Sequence, residues 1–253
     1  MYDPPTYIWA IIILGTAAIP AAACIALYSG AVRTGLGQRR AVLLAGAAVV
    51  LLGGWFAATA VIAGHGWYDT RPSQMPWLPI AMAGSLGTLL ALSRIPVVAR
   101  ALTSPGMAGR LMLPHSFRVA GVFFLLYLAL GHLPALFALP AGLGDITIGI
   151  AAPLVARRLA RGTGRRAAGW FNLYGLGDLT VATTIGALTG YQLLNVTPST
   201  APISELPLAL ITAADVPLMI GLHVMSLVAL ARAARPAPSA AGPLRSAPRG
   251  ALL

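Results

Sequence analysis

Three aspartates lie inside long apolar segments of the chain, where ionisable side chains are rare. Asp145, Asp178 and Asp215 make up half of the six acidic residues. A charged side chain at the centre of a membrane helix costs about 2.5–3.5 kcal/mol on insertion scales, so it normally faces the protein interior and serves a function. A carboxyl group at that depth can take up a proton or bind a cation. These positions therefore predict a site for a proton, a cation or a small polar solute.

The segment around Asp215 carries a polar stripe. At 100° per residue, six side chains fall within about 80° of one another on a helix. They are Glu205, Thr212, Asp215, Met219, His223 and Ser226. Within a membrane such a stripe must face protein or water. We predict that His223 joins the aspartates, with Thr212 and Met219 in support, although hydrogen bonds that merely hold helices together would give the same stripe. Pro217 predicts a kink there.

A four-residue motif occurs twice. Residues 142–145 (Gly-Leu-Gly-Asp) recur as residues 175–178. The two copies lie in neighbouring spans that run in opposite directions, and each Asp is about 15 Å into its span at ~1.5 Å per residue. Oppositely directed repeats with glycine interruptions are typical of transporter binding sites. Close packing of small residues between helices is the alternative explanation of the glycines.

Other polar residues are candidates for a supporting role. Tyr174 precedes Asp178 by one helical turn and shares its face, whereas Asn172 lies about 120° away. Arg118 is expected near the cytoplasmic end of the fourth span. There it can pair with an aspartate or extend to lipid headgroups, and the second is the commoner fate at a helix end.

The histidines predict no metal or haem. His65 and His132 are expected near one membrane surface, and His115 and His223 nearer the other. No two of the four have the i, i+3 or i, i+4 spacing of a helical metal site. Cys24 is the only cysteine, and the chain has no lysine, which excludes a thiolate cluster and a retinal Schiff base. We therefore predict no cofactor.

The elements that position these residues are membrane spans. Hydrophobic residues make up 58% of the chain and charged residues 9%, against about 45–50% and about 25% in soluble domains. Most apolar segments have the ~20 residues that a spanning helix needs. They are residues 7–29, 41–63, 77–93, 115–131, 135–156, 167–190 and 206–231. The sequence thus predicts an all-α bundle of seven transmembrane helices over residues 1–234, followed by a disordered cytoplasmic tail at 235–253.

The arginines predict the orientation of this bundle. Sixteen of the 17 basic residues fall on one side of the predicted spans, and only Arg71 falls on the other. The positive-inside rule makes the arginine-rich side cytoplasmic, so the N-terminus is outside. The +11 charge then marks topology and predicts no nucleic-acid partner. The arginine loops, residues 157–166 above all, are expected to contact anionic lipid headgroups.

Part of the chain resembles a group of small, functionally uncharacterised bacterial multi-pass membrane proteins. The likeness covers roughly residues 115–225. It is carried by Arg118, Gly121, Leu133-Pro134, residues 137–145, residues 170–172, Gly175 and Asp178-Leu179. The resemblance implies a protein of the bacterial cytoplasmic (inner) membrane and draws attention to Asp145 and Asp178. It implies no substrate, cofactor or reaction.

Transport is the function that these patterns favour. We expect protons, a cation or a small polar solute to move through a carboxylate-lined cavity, with Asp145, Asp178, Asp215 and His223 taking up charge. An enzyme embedded in the membrane that acts on a lipid or apolar substrate is the first alternative, and a non-catalytic accessory or sensory protein is the second. The sequence has no Gly-x-Ser-x-Gly motif and no phosphate-binding glycine loop, so no specific catalytic mechanism is indicated.

Overall fold

The computed structural model describes residues 4–70 and 75–234, and within them the regular structure is entirely helical. Asp3, Arg71 and the predicted tail at 235–253 lie outside the described residues. The α-helices are α1 Thr6–Arg33, α2 Gln38–Gly64, α3 Trp77–Leu92, α4 Pro96–Leu102, α5 Met107–Met112, α6 Val122–Ala129, α7 Ala135–Ala160, α8 Arg165–Gly190, α9 Leu208–Leu210 and α10 Val216–Ala233. A 3₁₀-helix at Leu113–Gly121 joins α5 to α6, and a π-helical turn at Ile211–Asp215 joins α9 to α10.

Several of these helices can cross a membrane. Five stretches of the described chain are long and apolar enough, namely Thr6–Arg33, Gln38–Gly64, Met107–Ala129, Ala135–Ala160 and Leu208–Ala233. Helices α3 and α4 pass the same test only together, and they meet at an angle of 89°. The 26-residue α8 is not among the five. The regular structure of the described residues is therefore all-helical, with several helices apolar enough to cross a membrane, as in an integral membrane protein.

The outward faces of the first two helices are apolar. Leu14 of α1 is 70% exposed and Val50 of α2 is 75% exposed, and both point away from the bundle. A helix satisfies its backbone hydrogen bonds internally, so such a face can stand in hydrocarbon at no polar cost. These faces fit contact with lipid.

The interior of the bundle is built around the 3₁₀-helix. Helix α7 packs along both Leu113–Gly121 and α8, and α10 packs against α3, α5 and α8. Arg118, Asp145, Asp178 and His223 come from the 3₁₀-helix, α7, α8 and α10 in that order. These four residues meet where the four elements approach one another.

The fourth span differs from its prediction in extent and in helix type. It starts at Met107, not at residue 115, and ends at Ala129. Arg118 therefore lies eleven residues from either end of the segment, at mid-depth rather than at the cytoplasmic end. A side chain at that depth cannot reach the headgroups, so the expectation that Arg118 extends to them is wrong.

The last span changes its helical winding just before Asp215. A π-helical turn, Ile211–Asp215, leads directly into α10, and Pro217 follows at the start of that helix. A proline lacks the N–H that would bond one turn back, and the wider π-turn takes up this mismatch. Such turns are frequent at functional sites. Where Pro217 predicts a kink, the structure thus has a change of helical pitch that ends at Asp215.

Candidate functional site

Arg118 holds two aspartates from two different helices. Its Nε lies 2.7 Å from Oδ1 of Asp145, and its Nη2 lies 2.6 Å from the same oxygen. Nη2 also lies 2.5 Å from Oδ2 of Asp178. The Arg118 side chain is fully buried, and those of Asp145 and Asp178 are 12% and 8% exposed. The site is therefore a buried cation shared by two carboxylates, which we call the Arg–Asp–Asp cluster.

The cluster carries one uncompensated negative charge when both carboxyl groups are ionised. Each aspartate gives only one oxygen to Arg118; no described hydrogen bond reaches Oδ2 of Asp145 or Oδ1 of Asp178. Burying an ion costs several kcal/mol in desolvation. The attraction within an ion pair offsets this cost only if the remaining lone pairs also have hydrogen-bond partners. The two free oxygens are thus places where a proton or a bound cation would be stabilising.

His223 extends the cluster into a directed chain of hydrogen bonds. Its Nε2 lies 3.3 Å from Nη1 of Arg118, and its Nδ1 lies 3.0 Å from Oδ1 of Asn172. A guanidinium only donates, so Nε2 must accept and the proton must sit on Nδ1. Asn172 in turn donates to Ser226 Oγ at 3.1 Å, and Ser226 donates to the Ala108 carbonyl at 3.1 Å. His223 is therefore a neutral imidazole in a fixed tautomer.

His115 lies against His223 as a second imidazole. The two rings stack with their centroids 3.8 Å apart. Phe171 meets His115 edge to face, with the two ring centroids 5.9 Å apart. Both ring nitrogens of His115 are buried and have no hydrogen-bond partner among the described residues. In a 3₁₀-helix, residues three apart eclipse one another, which puts His115 directly in line with Arg118. The sequence signal for this residue was its three-residue spacing from Arg118.

The glycines of the repeated motif make room for the polar side chains. A Cβ added to Gly144 would overlap the carboxylate of Asp178, and one added to Gly175 would overlap the His223 ring. One added to Gly121 would overlap Asp145. By contrast, a Cβ on Gly177 would meet nothing within 4 Å. Three glycines therefore let functional side chains cross between helices, so they do more than pack backbones together.

Asp215 lies beside the cluster without joining it. The residue is 1% exposed, and its Oδ1 has no hydrogen-bond partner among the described residues. A small cavity of about 30 Å³ is bordered by Asp215, Asp145, Arg118 and Thr16. A water molecule needs roughly 10–15 Å³ of such space and two to four polar partners. The cavity has both, so it can hold a water that links the two carboxylates.

A larger cavity reaches the cluster from one end of the bundle. It has a volume of about 270 Å³ and extends from Thr70 and Tyr191, in or beside the loops, to Asp145. Its walls are mainly apolar, with Phe124 and Phe137 among them. Asp145 is the only charged side chain that the described part of the chain contributes to this lining. The Asp145 carboxylate thus lies between the small cavity that it shares with Asp215 and the large apolar cavity.

The remaining predicted residues fall outside the hydrogen-bonded network. Thr212 donates to the Ile203 carbonyl at 2.9 Å, and Met219 borders both cavities. Tyr174 is 51% exposed and does not reach the cluster. Its predicted supporting position is wrong because Asp178 sits at the margin of the buried face of α8, while Tyr174 points outward. Asn172, predicted to lie away from the aspartates, joins through His223 instead.

The outer parts of the predicted stripe and the other histidines have separate surroundings. Glu205 is half-buried at the end of the stripe, where burial raises the pKa of its carboxyl. His65 is exposed, and the ring of His132 lies 6.4 Å from that of Tyr127. Among the described residues, no group of three or more His, Cys, Asp and Glu side chains could hold a metal ion.

The comparisons with known proteins give a family without an activity. No curated protein and no solved structure matches the chain. Residues 75–231 match a protein family. This range contains the Arg–Asp–Asp cluster, the His223 chain and both cavities' borders from α3 to α10. The chain belongs to the family described as "Domain of unknown function (DUF8737)".

Proposed function

We propose that this protein is a seven-span transporter of the bacterial inner membrane, with its N-terminus outside, that moves protons, a cation or a small polar solute through the Arg–Asp–Asp cluster. In chain order, the bent pair α3–α4 supplies the third crossing and α8 the sixth, which together with the five spanning stretches makes seven. The asymmetric arginine loops support the orientation, and the arginines at residues 157–166 contact anionic lipid headgroups.

One observation supports the transport proposal, namely that a single buried arginine is shared by two carboxylates, each near the middle of a long helix. A structural ion pair would need one partner for each charge. The second aspartate leaves a charge of −1 that only a proton or another cation can balance. We therefore regard the proton as the species that the cluster handles most readily.

The way in which Arg118 is held suggests how uptake is coupled to movement. Protonation of Asp178 removes its attraction for Nη2, so the link between α8 and the 3₁₀-helix weakens. Asp145 keeps Arg118 paired at that moment, and the buried guanidinium is never left without a counter-charge. The proton thus switches one contact between two helices and leaves the other intact.

Proton flux in proteoliposomes tests this function. A pH-sensitive dye trapped inside vesicles reports acidification when an acid-outside gradient is imposed with valinomycin and potassium present. Wild-type protein is expected to acidify the lumen, and Asp178→Asn is expected to abolish this flux. Asp69→Asn, which changes a carboxyl group outside the spans, is the matched control and should keep it. Equal acidification by wild type, Asp178→Asn and protein-free vesicles would contradict the proposal.

A second candidate function is supported by the apolar cavity at Asp145. A membrane-embedded enzyme that acts on a lipid or other apolar substrate would need such walls beside a carboxyl group. Incubation with labelled lipid and analysis of the products separates the two functions. A product that forms with wild type and not with Asp145→Asn, in the absence of any proton flux, would favour the enzyme.

A further inference from the structure

We propose that the large cavity binds a small apolar organic cation, with its charged nitrogen against Asp145, in exchange for the proton of the cluster. This inference rests on the proposed function, because it assigns the solute that the same carboxylate exchanges for a proton. It is carried by the lining of the cavity and by the charge of the cluster.

The walls select an apolar body. Most of the lining of the 270 Å³ cavity consists of aliphatic and aromatic side chains from seven helical elements, such as Leu78, Met82, Leu179 and Ile220. Ligand cavities of this kind bury an apolar body and orient it with a few polar groups. The volume lies just below the usual range of about 300–1,000 Å³ and suits a small molecule of about ten to fifteen non-hydrogen atoms.

The charge at the inner end selects a cation. Asp145 gives Oδ1 to Arg118 and has no described hydrogen bond on Oδ2. An anion would meet this carboxylate with no cation among the described lining residues to hold it. A neutral apolar molecule would displace water from Asp145 and leave its free oxygen without a partner, which is costly. A cationic nitrogen supplies the missing charge.

Two aromatic rings strengthen the choice of an organic cation over a metal ion. Phe124 and Phe137 both line the cavity and meet edge to face, with their centroids 5.4 Å apart. Aromatic faces attract ammonium groups, and more strongly where water is excluded. A hard metal ion needs several oxygen ligands. Besides Asp145, the lining has hydroxyl oxygens only on four of its described side chains: those of Thr183 and Thr212 already donate to backbone carbonyls, and Thr70 and Tyr191 lie at the opposite end, in or beside the loops.

Exchange follows because the ligand and the proton share one carboxylate. The charged groups that face Asp145 are Arg118 from the 3₁₀-helix, Asp178 from α8 and Asp215 across the small cavity, while His223 bonds to Arg118 and is neutral. When the cluster holds one proton, its charge is balanced and a second cation has no counter-charge. Binding of the organic cation should therefore release one proton.

Calorimetry with a matched pair of probes tests the inference. Benzyltrimethylammonium is the cationic probe, and neopentylbenzene is its neutral isostere with the same shape. Titration of purified wild type in two buffers of different protonation enthalpy gives both the affinity and the number of protons released. We expect the cation to bind about tenfold or more tightly than the neutral probe, as a desolvated cation–aromatic contact implies, with about one proton released. Equal affinity for both probes, or cation binding without proton release, would overturn the inference.

Two variants of the cavity wall and one control variant locate the binding. Ala182→Phe and Ala187→Leu each add bulk to the cavity wall and should abolish binding of the cation, whereas Ala57→Phe, at an exposed position of α2, should keep it. Melting temperatures establish that each variant is folded, and the second wall variant serves if the first is not. Binding that survives both wall variants would place the ligand elsewhere and refute the cavity. Proton flux measured without any probe separates the two proposals. If wild type conducts protons but does not bind the cationic probe, this inference is refuted and the proposed transporter function is retained.

Discussion

The carboxylate of Asp178 occupies the space that a side chain at Gly144 would fill. A Cβ at residue 144 would overlap Oδ1 of Asp178, while Oδ2 of the same carboxylate lies 2.5 Å from Nη2 of Arg118. The absent side chain on α7 is thus what allows an aspartate of α8 to reach the arginine of the 3₁₀-helix. The glycine and the aspartate belong to different copies of the repeated motif. The first copy therefore makes room for the aspartate of the second.

This relationship predicts that Gly144→Ala disrupts the cluster. The added methyl group must displace the Asp178 carboxylate from Arg118, since neither backbone can move without disturbing the α7–α8 contact. We expect the free energy of unfolding to fall by about 1–3 kcal/mol, as for other overpacked interiors, and proton flux to be lost. Thermal unfolding in detergent and the vesicle assay measure the two effects.

Gly177→Ala is the matched control from the same motif. A Cβ at residue 177 meets nothing within 4 Å, and alanine is favoured over glycine within a helix by about 0.5–1 kcal/mol. This variant should be as stable as wild type or slightly more so, with full flux. If both glycine variants behaved alike, the special role of Gly144 would be refuted.

The hydrogen-bond chain predicts the protonation state of His223. Arg118 can only donate to Nε2, and Asn172 accepts from Nδ1, so the ring should be neutral with its proton on Nδ1. Nitrogen-15 NMR of histidine-labelled protein distinguishes this tautomer from the other neutral form and from imidazolium. The signal is assigned by its loss in His223→Gln and its retention in His65→Gln. An imidazolium spectrum for His223 would contradict this, because Nε2 would then carry a proton and could not accept a hydrogen bond from Arg118.

Much of this site could be predicted from residue types because the membrane makes polar groups conspicuous. Asp145, Asp178 and His223 stand out among apolar neighbours, and the structure brings all three onto Arg118. The partner of these residues was harder to identify. The apolar stretch at residue 115 hides a helix that starts at Met107, so Arg118 was assigned to the wrong depth. The limits of a hydrophobic run do not define the ends of a buried helix, which need not be apolar when protein surrounds it.

The misplacement of Asn172 and Tyr174 has a different physical cause. Helical periodicity ranks side chains by angle around one axis and treats one face as the buried one. Helix α8 borders α7 on one side and α10 on another, so Asp178 and Asn172 enter the same network from separate directions. Tyr174 is close to Asp178 in angle yet 51% exposed. Only tertiary packing decides such cases.

The proposed orientation predicts which loops are accessible from outside the cell. In a Cys24→Ala background, Asn195→Cys lies in the loop after α8 and Thr163→Cys in the loop before it, and both positions are exposed. The positive-inside rule places residue 163, next to the arginine cluster, in the cytoplasm. A membrane-impermeant thiol reagent should label residue 195 in intact cells and residue 163 only after permeabilisation. The opposite pattern would invert the topology.

Because Arg118 has two carboxylate partners, replacing either aspartate alone should change the stability much less than replacing both. Asp145→Asn or Asp178→Asn alone leaves the guanidinium with one carboxylate and removes the excess negative charge, so each single variant should melt close to wild type. The double variant leaves a buried cation unpaired and should lose about 3–5 kcal/mol of stability. Thermal or denaturant unfolding in detergent measures these differences.

A triple variant completes this test, because adding Arg118→Gln to the double variant removes the stranded charge. Replacement of a whole buried ionic group is often neutral or stabilising, so the triple variant should recover most of the lost stability while remaining inactive in proton flux. That combination would show that the charges are kept for function and cost the fold stability. If instead the double variant were as stable as either single one, Arg118 would have another counter-charge, and the cluster would not carry the −1 charge on which uptake of a proton depends.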